Sequence, residues 1–395
     1  MAKRLGIGLI GQAFMGKAHS NAWGQATRFF NLPLEPTFAH VAARDQNCLA
    51  AFAGRFGWER WSRTLSALLR DPAVELVDIV TPNHLHAKQA LAAFEAGKHV
   101  ACEKPLARSL DEAKQMLQAA RKAAGKGQKS YVWFNYRRCP AIGLAYQLIR
   151  EGRLGRIYEV RASYLQSWGG PGTPMSWRFE KSKAGSGALG DLGAHLVDLV
   201  RFLTGEEFLH VEGAASRTFI RERSLSQGLK PSKAGSKTSK LQTKGRSNVD
   251  DLFGFFAGLS GGALCSFEVS RLASGRLNQN RLEIYGDQGA LIFDFEEMNV
   301  LRFLDATLPR REQGFRRIMA TDTSHPWVSA WWPEGHLLGY EHGFVHMAAD
   351  ICRDLAGESP ELPLPTFEDG YRVQAVLDAA LRSACEGKKQ KISKA

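Results

Sequence analysis

The feature that most constrains the fold of this chain is a glycine-rich turn directly after its first apolar run. Leu5–Ile10 is continuously apolar or glycine, and residues 11–16 follow it with the spacing G-x-G-x-x-G, except that Ala13 takes the second position. A helical pattern begins at once, over residues 15–28. In this order of elements, backbone N–H groups and the positive end of a helix dipole can approach a pyrophosphate. A purely structural turn is the alternative interpretation.

The first 134 residues alternate short apolar runs with amphipathic stretches. The predicted strands are Leu5–Ile10, Phe38–Ala43, Leu76–Val80, His99–Cys102 and Ser130–Phe134, and the predicted helices lie between them at 15–28, 46–56, 84–96 and 109–124. Continuous apolar strands separated by helices are typical of a parallel sheet covered on both faces. Residues 1–134 are therefore predicted to form a doubly wound, Rossmann-type domain that binds a dinucleotide.

From residue 135 onward, strand-like runs follow one another with few helices between them. Helices are predicted at 140–151, 189–203, about 340–356 and 367–385, and strands at 157–164, 208–220, 249–258, 263–271, 280–285, 289–295 and 299–304. This pattern predicts an α+β substrate-binding domain over residues 135–395, built on an open, mostly antiparallel sheet. One face of such a sheet needs a cover, so we expect a homo-oligomer, a dimer or tetramer, that associates through it.

The net charge of +12 is concentrated in two segments. Residues 221–246 carry eight Lys or Arg and one Glu, and four lysines lie in the segment 387–395. Because Lys/Ser/Gly-rich segments bury little apolar surface, both are predicted to be a flexible insert and a flexible tail rather than a nucleic-acid-binding face. An acidic partner is the alternative.

The composition argues against two further classes of protein, membrane-spanning proteins and proteins built on cysteine cross-links or cysteine metal sites. No apolar run reaches 18 residues, so no membrane span is predicted. The six cysteines are scattered without metal-ligand spacing, which indicates reduced thiols in a cytoplasmic protein.

The end of the second predicted strand leaves the choice of cofactor open. Ala43 stands where a carboxylate would hold the ribose 2′-OH of NAD, and Arg44, which could pair with the 2′-phosphate of NADP, follows it. Asp45 is close enough to serve NAD. Both NAD and NADP are therefore considered.

Polar residues follow two other predicted strands at their carboxyl ends. Thr81, Asn83 and His86 follow the strand 76–80, and Glu103 and Lys104 follow the strand at 99–102, just before a proline. Ligands of open α/β sheets bind at this edge.

Asp191 and His195 are four residues apart in a helical pattern, so they share one helix face. A carboxylate and an imidazole so placed could form a satisfied core pair, a metal-ligand pair or an acid–base pair. No third ligand at suitable spacing is obvious, so no metal is predicted.

Taken together, these segments resemble the Gfo/Idh/MocA oxidoreductase family over nearly the whole chain. The resemblance is carried by the glycine-rich turn and by T-P-N-x-x-H at 81–86, A-G-K-H-V-x-C-E-K-P at 96–105, N-Y-R at 135–137 and G-S-G-A-L-G-D-L-G-A-H at 185–195. It implies that Lys104, Asp191 and His195 surround the reacting carbon. The expected cofactor contacts are Gly11, Ala13, Phe14, Met15, Gly16, Arg44, Thr81, Asn83, His86, Glu103, Lys104, Trp177 and Arg178.

The chemistry of these residue types agrees with that implication. Oxidising a secondary alcohol requires removal of the hydroxyl proton while a hydride leaves for the nicotinamide. Histidine suits proton transfer near neutral pH, and a nearby ammonium stabilises the developing alkoxide. We therefore expect His195 as the acid/base, Lys104 as the polarising group, and Asp191 as the residue that orients the substrate and holds Lys104.

The substrate is expected to be a sugar. Aromatic faces bury the C–H face of a pyranose while polar groups bind its hydroxyls. Segments around Trp177 and 331–342 look similar to the subgroup that contains levoglucosan dehydrogenase and sugar or glycoside 3-dehydrogenases, which implies oxidation at C3 or its reverse. The expected substrate contacts are Tyr136, Trp168, Asp191, His195, His336 and Tyr340.

Two other functions fit the same fold. A redox-recycling, NAD-dependent glycosidase or lyase would keep its cofactor and show no net turnover of it. A non-enzymatic cofactor-binding regulator would be expected to lack Lys104 or His195, and both are present.

Overall fold

The computed structural model describes residues 3–225 and 244–393. The first part of the chain forms a six-stranded parallel sheet in the order β3-β2-β1-β4-β5-β6. Its strands are β1 Lys3–Ile10, β2 Leu34–Ala42, β3 Arg60–Ser62, β4 Leu76–Ile79, β5 His99–Cys102 and β6 Ser130–Val132, and its helices are α1 Phe14–Phe29, α2 Gln46–Phe56, α3 Leu65–Leu69, α4 His86–Glu95 and α5 Leu110–Ala124.

The predicted doubly wound sheet is thus confirmed, with differences at its edge. β3 and α3 were not predicted, because β3 has three residues and none of them is buried, so no apolar run marks it. β2 begins four residues earlier than predicted, because residues 34–37 include a glutamate, a proline and a threonine and so form no continuous apolar run.

The second part of the chain forms a nine-stranded mixed sheet in the order β16-β15-β14-β13-β7-β12-β11-β8-β17. Only β7 and β12 pair in parallel; the other neighbours are antiparallel. The nine strands of this sheet are β7 Ile157–Leu165, β8 Phe208–Arg217, β11 Leu252–Leu259, β12 Leu264–Ser270, β13 Gln279–Gly286, β14 Gly289–Asp294, β15 Val300–Asp305, β16 Arg316–Met319 and β17 Gln390–Lys391. Two further strands, β9 Glu222–Ser224 and β10 Lys244–Arg246, lie outside it. The helices of this part are α6 Pro140–Arg150, α7 Lys181–Ala184, α8 Ala194–Thr204, α9 His342–Leu355 and α10 Phe367–Glu386.

The two basic segments are more ordered than predicted where they are described. β9 and β10 form an antiparallel ribbon at the two ends of the 221–246 insert, while residues 226–243 lie outside the described part of the chain. In the predicted flexible tail, β17 pairs with β8, and Gln390 is buried there. Backbone pairing orders these polar segments although their composition predicts flexibility, because an unpaired strand edge offers hydrogen bonds that do not depend on side-chain hydropathy.

Helices from the second half of the sequence lie on the first sheet's domain. α9 packs against α1, and its Phe344 ring lies 6.1 Å from Trp133. α10 packs against α5 and β6, where Val132 N–H donates to the Pro365 carbonyl (2.9 Å). The two halves are therefore joined through buried contacts rather than through a linker alone. Within the described residues, no helix combines the length and the apolarity that a bilayer crossing requires.

Candidate active site

A cavity of about 630 Å³ lies between the first sheet's carboxyl edge and the second sheet. A narrower cavity of about 180 Å³ adjoins it, and the two share Phe14, Met15, Glu103, Lys104, Arg178 and Asp191. A volume of this size accommodates a small ligand. Among the residues predicted as contacts, the two cavities are lined by Ala13, Phe14, Met15, Thr81, Asn83, Glu103, Lys104, Tyr136, Trp168, Trp177, Arg178, Asp191, His195 and Tyr340.

The glycine-rich turn has the geometry of an anion cradle. Gly11 has φ = +121°, a conformation that favours glycine. A Cβ atom on Gly16 would lie 2.5 Å from the Gly11 carbonyl oxygen, so only glycine lets α1 start this close to β1. The N-cap residue Ala13 offers no side-chain hydrogen bond, which leaves the first amides of α1 free for a phosphate. These residues fit a dinucleotide.

Three charged groups meet at the point where both cavities join. Lys104 Nζ donates to Asp191 Oδ1 (3.1 Å) and to the Asp191 carbonyl (2.9 Å). The second carboxylate oxygen accepts from the buried Arg271 (2.9 Å). Burial alone would raise the pKa of Asp191, but Lys104 and Arg271 outweigh it and hold that pKa well below its usual range. Asp191 is therefore a carboxylate fixed between two cations.

Asp191 lies in a π-helical turn, Leu189–Gly193, which runs directly into α8. The predicted helix from 189 is thus a π turn followed by an α-helix, and π turns often occur at functional sites. Asp250 fixes its start, because the N–H groups of Gly187 and Leu189 donate to the two Asp250 carboxylate oxygens (2.6 and 2.7 Å). Both Asp191 and His195 line the larger cavity.

His195 is 5 % exposed, and its ring packs 4.5 Å from that of Tyr136. Its Nδ1 has no hydrogen-bond partner among the described residues. Burial, with the positive charge of Lys104 added, holds the pKa of His195 well below its usual value. The imidazole is therefore neutral at physiological pH and available as a proton acceptor.

Glu103 is held by a buried histidine that the sequence did not single out. His19 Nε2 lies 3.0 Å from Glu103 Oε1, and its Nδ1 lies 2.9 Å from Asp78. Asp78 also accepts from the indoles of Trp23 and Trp133 (2.8 Å each). Burial alone would lower the pKa of His19, but the two carboxylates raise it to about 9. An imidazolium between two carboxylates thus fixes Glu103 beside the cavity.

A chain of hydrogen bonds forms one wall of the larger cavity. The hydroxyl groups of Tyr136 and Tyr164 lie 2.6 Å apart, and Tyr164 donates to Asn278 Oδ1 (2.7 Å). Gln166 Nε2 donates to the same oxygen (2.6 Å), and Trp168 Nε1 donates to Gln166 Oε1 (2.6 Å). Hydroxyl, amide and indole groups arranged in this way present both donors and acceptors to a polyhydroxylated ligand.

Some predicted contacts lie outside both cavities. Gly11 and Gly16 do not line either cavity, and they contribute by allowing the backbone conformation of the glycine-rich turn. The ring nitrogens of the buried His86 lie 2.8 and 3.1 Å from the carbonyl oxygens of Thr81 and Pro105, so this side chain joins two loops instead of facing the cavity.

The remaining two predicted contacts that lie outside both cavities, His336 and Arg44, have exposed side chains. His336 is exposed and bonds to the Pro333 carbonyl (2.8 Å), away from the predicted substrate contacts. Arg44 is exposed just after β2.

The sequence missed Tyr164, Gln166, Arg271 and Asn278, which all border the cavities. Gln166 and Arg271 directly follow β7 and β12, the one parallel pair of the second sheet, so they lie at the same edge. A prediction that β7 pairs in parallel with a strand about one hundred residues later would have identified Gln166 and Arg271 as neighbours. A prediction that all these strands are antiparallel does not place the two residues at the same edge.

Comparison with known proteins gives matches along most of the chain. Residues 5–129 match a family model described as an oxidoreductase family with an NAD-binding Rossmann fold, and residues 143–292 match one described as the GFO/IDH/MocA C-terminal domain. A levoglucosan dehydrogenase from Pseudarthrobacter phenanthrenivorans is 40% identical over 97% of both chains.

Solved structures agree. An oxidoreductase domain protein from Kribbella flavida superimposes with a TM-score of 0.92 at 48% identity, over 100% of both chains. A levoglucosan dehydrogenase in complex with NADH and levoglucosan superimposes with a TM-score of 0.90 at 39% identity, over 99% of this chain and 100% of the other.

Proposed function

Because the chain belongs to the Gfo/Idh/MocA family of NAD-binding oxidoreductases, we propose that it oxidises a secondary hydroxyl group of a pyranose sugar or glycoside. The proposed position is C3, and the product is the ketosugar; the reverse reduction uses the same site. The observation that carries this proposal is the contact of Lys104 with Asp191 at the edge of a cavity that His195 also lines.

The residues of the narrower cavity fit the nicotinamide end of the cofactor. Phe14, Met15, Asn83, Trp177 and Arg178 would hold it there, and when bound it supplies the hydride acceptor. Asn83 is fixed for this role, since its amide donates to the Ala184 carbonyl (2.9 Å).

Proton transfer falls to His195 and charge stabilisation to Lys104. The neutral His195 ring accepts the hydroxyl proton as the C–H bond breaks. The Lys104 ammonium, held by Asp191, stabilises the negative charge that develops on the same oxygen. In the reduction, the protonated ring returns the proton; its low pKa makes it a strong acid toward an alkoxide.

The polar wall supports a sugar as the substrate. The side chains from Tyr136 to Trp168 along the hydrogen-bond chain offer hydroxyl, amide and indole groups, and Trp168, 38% exposed, offers an aromatic face. The named ligand of a 39% identical relative, levoglucosan, is an oxygen-rich ring of suitable size for this cavity.

The test is to mix the purified protein with NAD or NADP and a panel of pyranoses, glycosides and inositols that includes levoglucosan. The proposal predicts that reduced nicotinamide accumulates with a pyranose and that NMR of the product places the new carbonyl at C3. A carbonyl at another carbon contradicts the C3 assignment. If cofactor binds and no member of the panel reduces it, the dehydrogenase proposal is wrong; glycoside cleavage in that sample would then indicate redox recycling.

We also propose that the chain forms a homo-oligomer through the outer face of the nine-stranded sheet. Phe256 and Leu264 are each about half exposed on the neighbouring strands β11 and β12, and the pairing of Phe256 with Ser266 and of Gly258 with Leu264 places both on the same face. Burial of these side chains against a second copy would remove apolar surface from water. A monomeric mass at micromolar concentration would contradict this proposal.

A further inference from the structure

The two ends of the basic insert form a ribbon that lies against a loop of the candidate active site. The ribbon consists of β9 and β10, which pair in antiparallel fashion. The loop, residues 168–178, borders both cavities, since Trp168 lines the larger one and Trp177 the narrower one. Met175 N–H donates to the Ser224 carbonyl of β9 (2.7 Å). The ribbon therefore contacts a segment that carries side chains of both cavities.

One buried side chain of the ribbon binds the backbone of this loop. Arg223 of β9 is 1% exposed. Its guanidinium nitrogens donate to the carbonyl oxygens of Gly169 (2.8 Å), Gly170 (3.1 Å) and Thr173 (3.4 Å). Because a guanidinium offers several donors in one rigid plane, this single side chain can fix the backbone of the whole turn.

Arg223 is itself held by a carboxylate and by an aromatic ring. Its Nη2 also donates to Asp251 Oδ1 (3.2 Å), and both side chains are fully buried. The other Asp251 oxygen accepts from the N–H groups of Phe219 and Ile220 (2.8 and 2.9 Å). The guanidinium carbon lies 3.6 Å from the centre of the Phe179 ring. An arginine fixed in this way restricts the loop that it binds.

The turn that Arg223 binds begins at Trp168, which is part of the proposed sugar wall. The Trp168 carbonyl accepts from the Thr173 hydroxyl, and Gly169 N–H donates to the Arg271 carbonyl (2.9 Å). A Cβ atom on Gly169 would lie 2.7 Å from Arg271 Cβ, so the turn packs closely on the residue that follows β12. The position of the Trp168 indole therefore depends on the ribbon as well as on the end of β12.

We propose that the ribbon of the basic insert is a clamp for sugar recognition, in which Arg223 is a positioning residue that holds Trp168 at the larger cavity. The inference rests on the proposed function in taking the ligand of that cavity to be a sugar. Trp168 is 38% exposed, so its ring can bury the C–H face of a pyranose only while the backbone keeps it at the cavity. Arg223 lines neither of the two described cavities, so it acts through the loop.

The first experiment is steady-state kinetics of Arg223→Met with the best sugar of the panel. The KM for the sugar should rise about tenfold, because the turn at Trp168 loses charge-assisted hydrogen bonds, while kcat and the Kd for the cofactor stay within about threefold. Arg223→Lys keeps the charge without the planar fork and should restore only part of the KM. Arg246→Met, which changes an exposed arginine on β10 of the same ribbon, is the matched control and should leave the KM unchanged.

A second background separates the positioning of Trp168 from a general loss of stability. In a Trp168→Ala protein, Arg223→Met should raise the KM by no more than about twofold further, because both changes remove the same contact with the sugar. A full tenfold effect in that background would overturn the inference. A KM of Arg223→Met within about twofold of the wild type would overturn it as well.

Hydrogen exchange tests the clamp without any turnover. Met175 N–H is bonded to the ribbon and Thr173 N–H is bonded within the loop. Both amides should exchange at least about tenfold faster in Arg223→Met and at the wild-type rate in Arg246→Met, because exchange reports local opening of the segment. Unchanged exchange of the two amides in Arg223→Met would overturn the inference.

Removing Arg223 leaves Asp251 as a buried charge. If Arg223→Met does not fold for that reason, the double variant Arg223→Met/Asp251→Asn, which carries no such charge, takes its place in each measurement. Absence of turnover with every sugar in the wild type would contradict the proposed function. The exchange measurement would still decide whether the ribbon clamps the loop.

Discussion

Replacing Arg271 by methionine should show how much the reaction rate depends on the contact by which Arg271 holds Asp191 in place. Arg271 is buried; it donates to Asp191 Oδ2 (2.9 Å) and to the Arg178 carbonyl (3.3 Å), and its guanidinium lies 5.0 Å from the Trp168 ring. Methionine fills much of the same volume and removes the charge. Asp191 keeps Lys104 but loses its second cation, so the carboxylate is free to rotate away from the reacting centre.

The expected magnitude follows from the lost charged hydrogen bond. Such bonds contribute about 1.5–3 kcal/mol, which corresponds to roughly a 10- to 150-fold loss in kcat/KM. Because Arg271 also contacts Trp168 in the proposed sugar wall, part of the loss should be in KM for the sugar. Arg271→Lys keeps the charge without the planar fork and should recover only part of the rate.

The assay is steady-state turnover with the best sugar of the panel, followed by reduced-nicotinamide absorbance, together with the thermal midpoint of each variant. Arg276→Met is the matched control, because this exposed arginine on the following loop has, within the described part of the chain, only a 3.7 Å side-chain contact with Glu296. The Arg276→Met variant should stay within about twofold of the wild-type rate. A folded Arg271→Met protein whose kcat/KM lies within about threefold of the wild type would refute the argument that Asp191 needs its second cation.

Three further predictions test other parts of the site. Lys104→Ala and His195→Ala should each abolish turnover while the Kd for NADH or NADPH stays within about threefold; near-normal kcat in either would reject the assigned roles. Gly16→Ala should weaken binding of NADH and NADPH by at least about tenfold in a fluorescence titration with each cofactor, because its Cβ would lie 2.5 Å from the Gly11 carbonyl oxygen. Unchanged affinity would show that the turn tolerates the methyl group. The pKa of His19 is raised from 6.5 to about 9, so the stabilising charge of its ring is fully present below pH 6.5 and is lost as the pH rises through 9. Across that window the wild type should therefore lose about 3 kcal/mol of unfolding free energy, measured by urea unfolding, and His19→Gln should lose much less. Identical pH profiles of the two proteins would contradict the charged state of His19.

The parts of the site that the sequence predicted are those whose placement is local. The glycine-rich turn, the ends of β4 and β5 and the pair Asp191 and His195 each lie within one element and its next turn, so spacing alone places them. Their convergence on two adjoining cavities agrees with those expectations.

The parts that the sequence missed depend on pairing between distant segments. Gln166 and Arg271 meet because β7 and β12 are parallel neighbours, and His19 meets Glu103 across the layer between α1 and the first sheet. His336 shows the converse: it lies four residues before Tyr340, which lines the larger cavity, yet among the described residues its side chain bonds only to the Pro333 carbonyl. Hydropathy and spacing predict the class of each sheet, but they do not identify which strands pair when those strands lie about one hundred residues apart.

The packing of α9 on α1 and of α10 on α5 has a consequence for the order in which the protein matures during synthesis. On the ribosome, residues 1–134 emerge first, but the helices that cover their outer layer, residues 342–386, follow more than two hundred residues later. Until then, Trp133 and Phe94 lack the partners Phe344 and Phe367 that lie within 6.1 and 5.6 Å of them in the finished molecule. Such late closure of distant contacts is slow and exposes apolar surface, so nascent chains of this protein should depend on chaperones more than a Rossmann domain that covers itself.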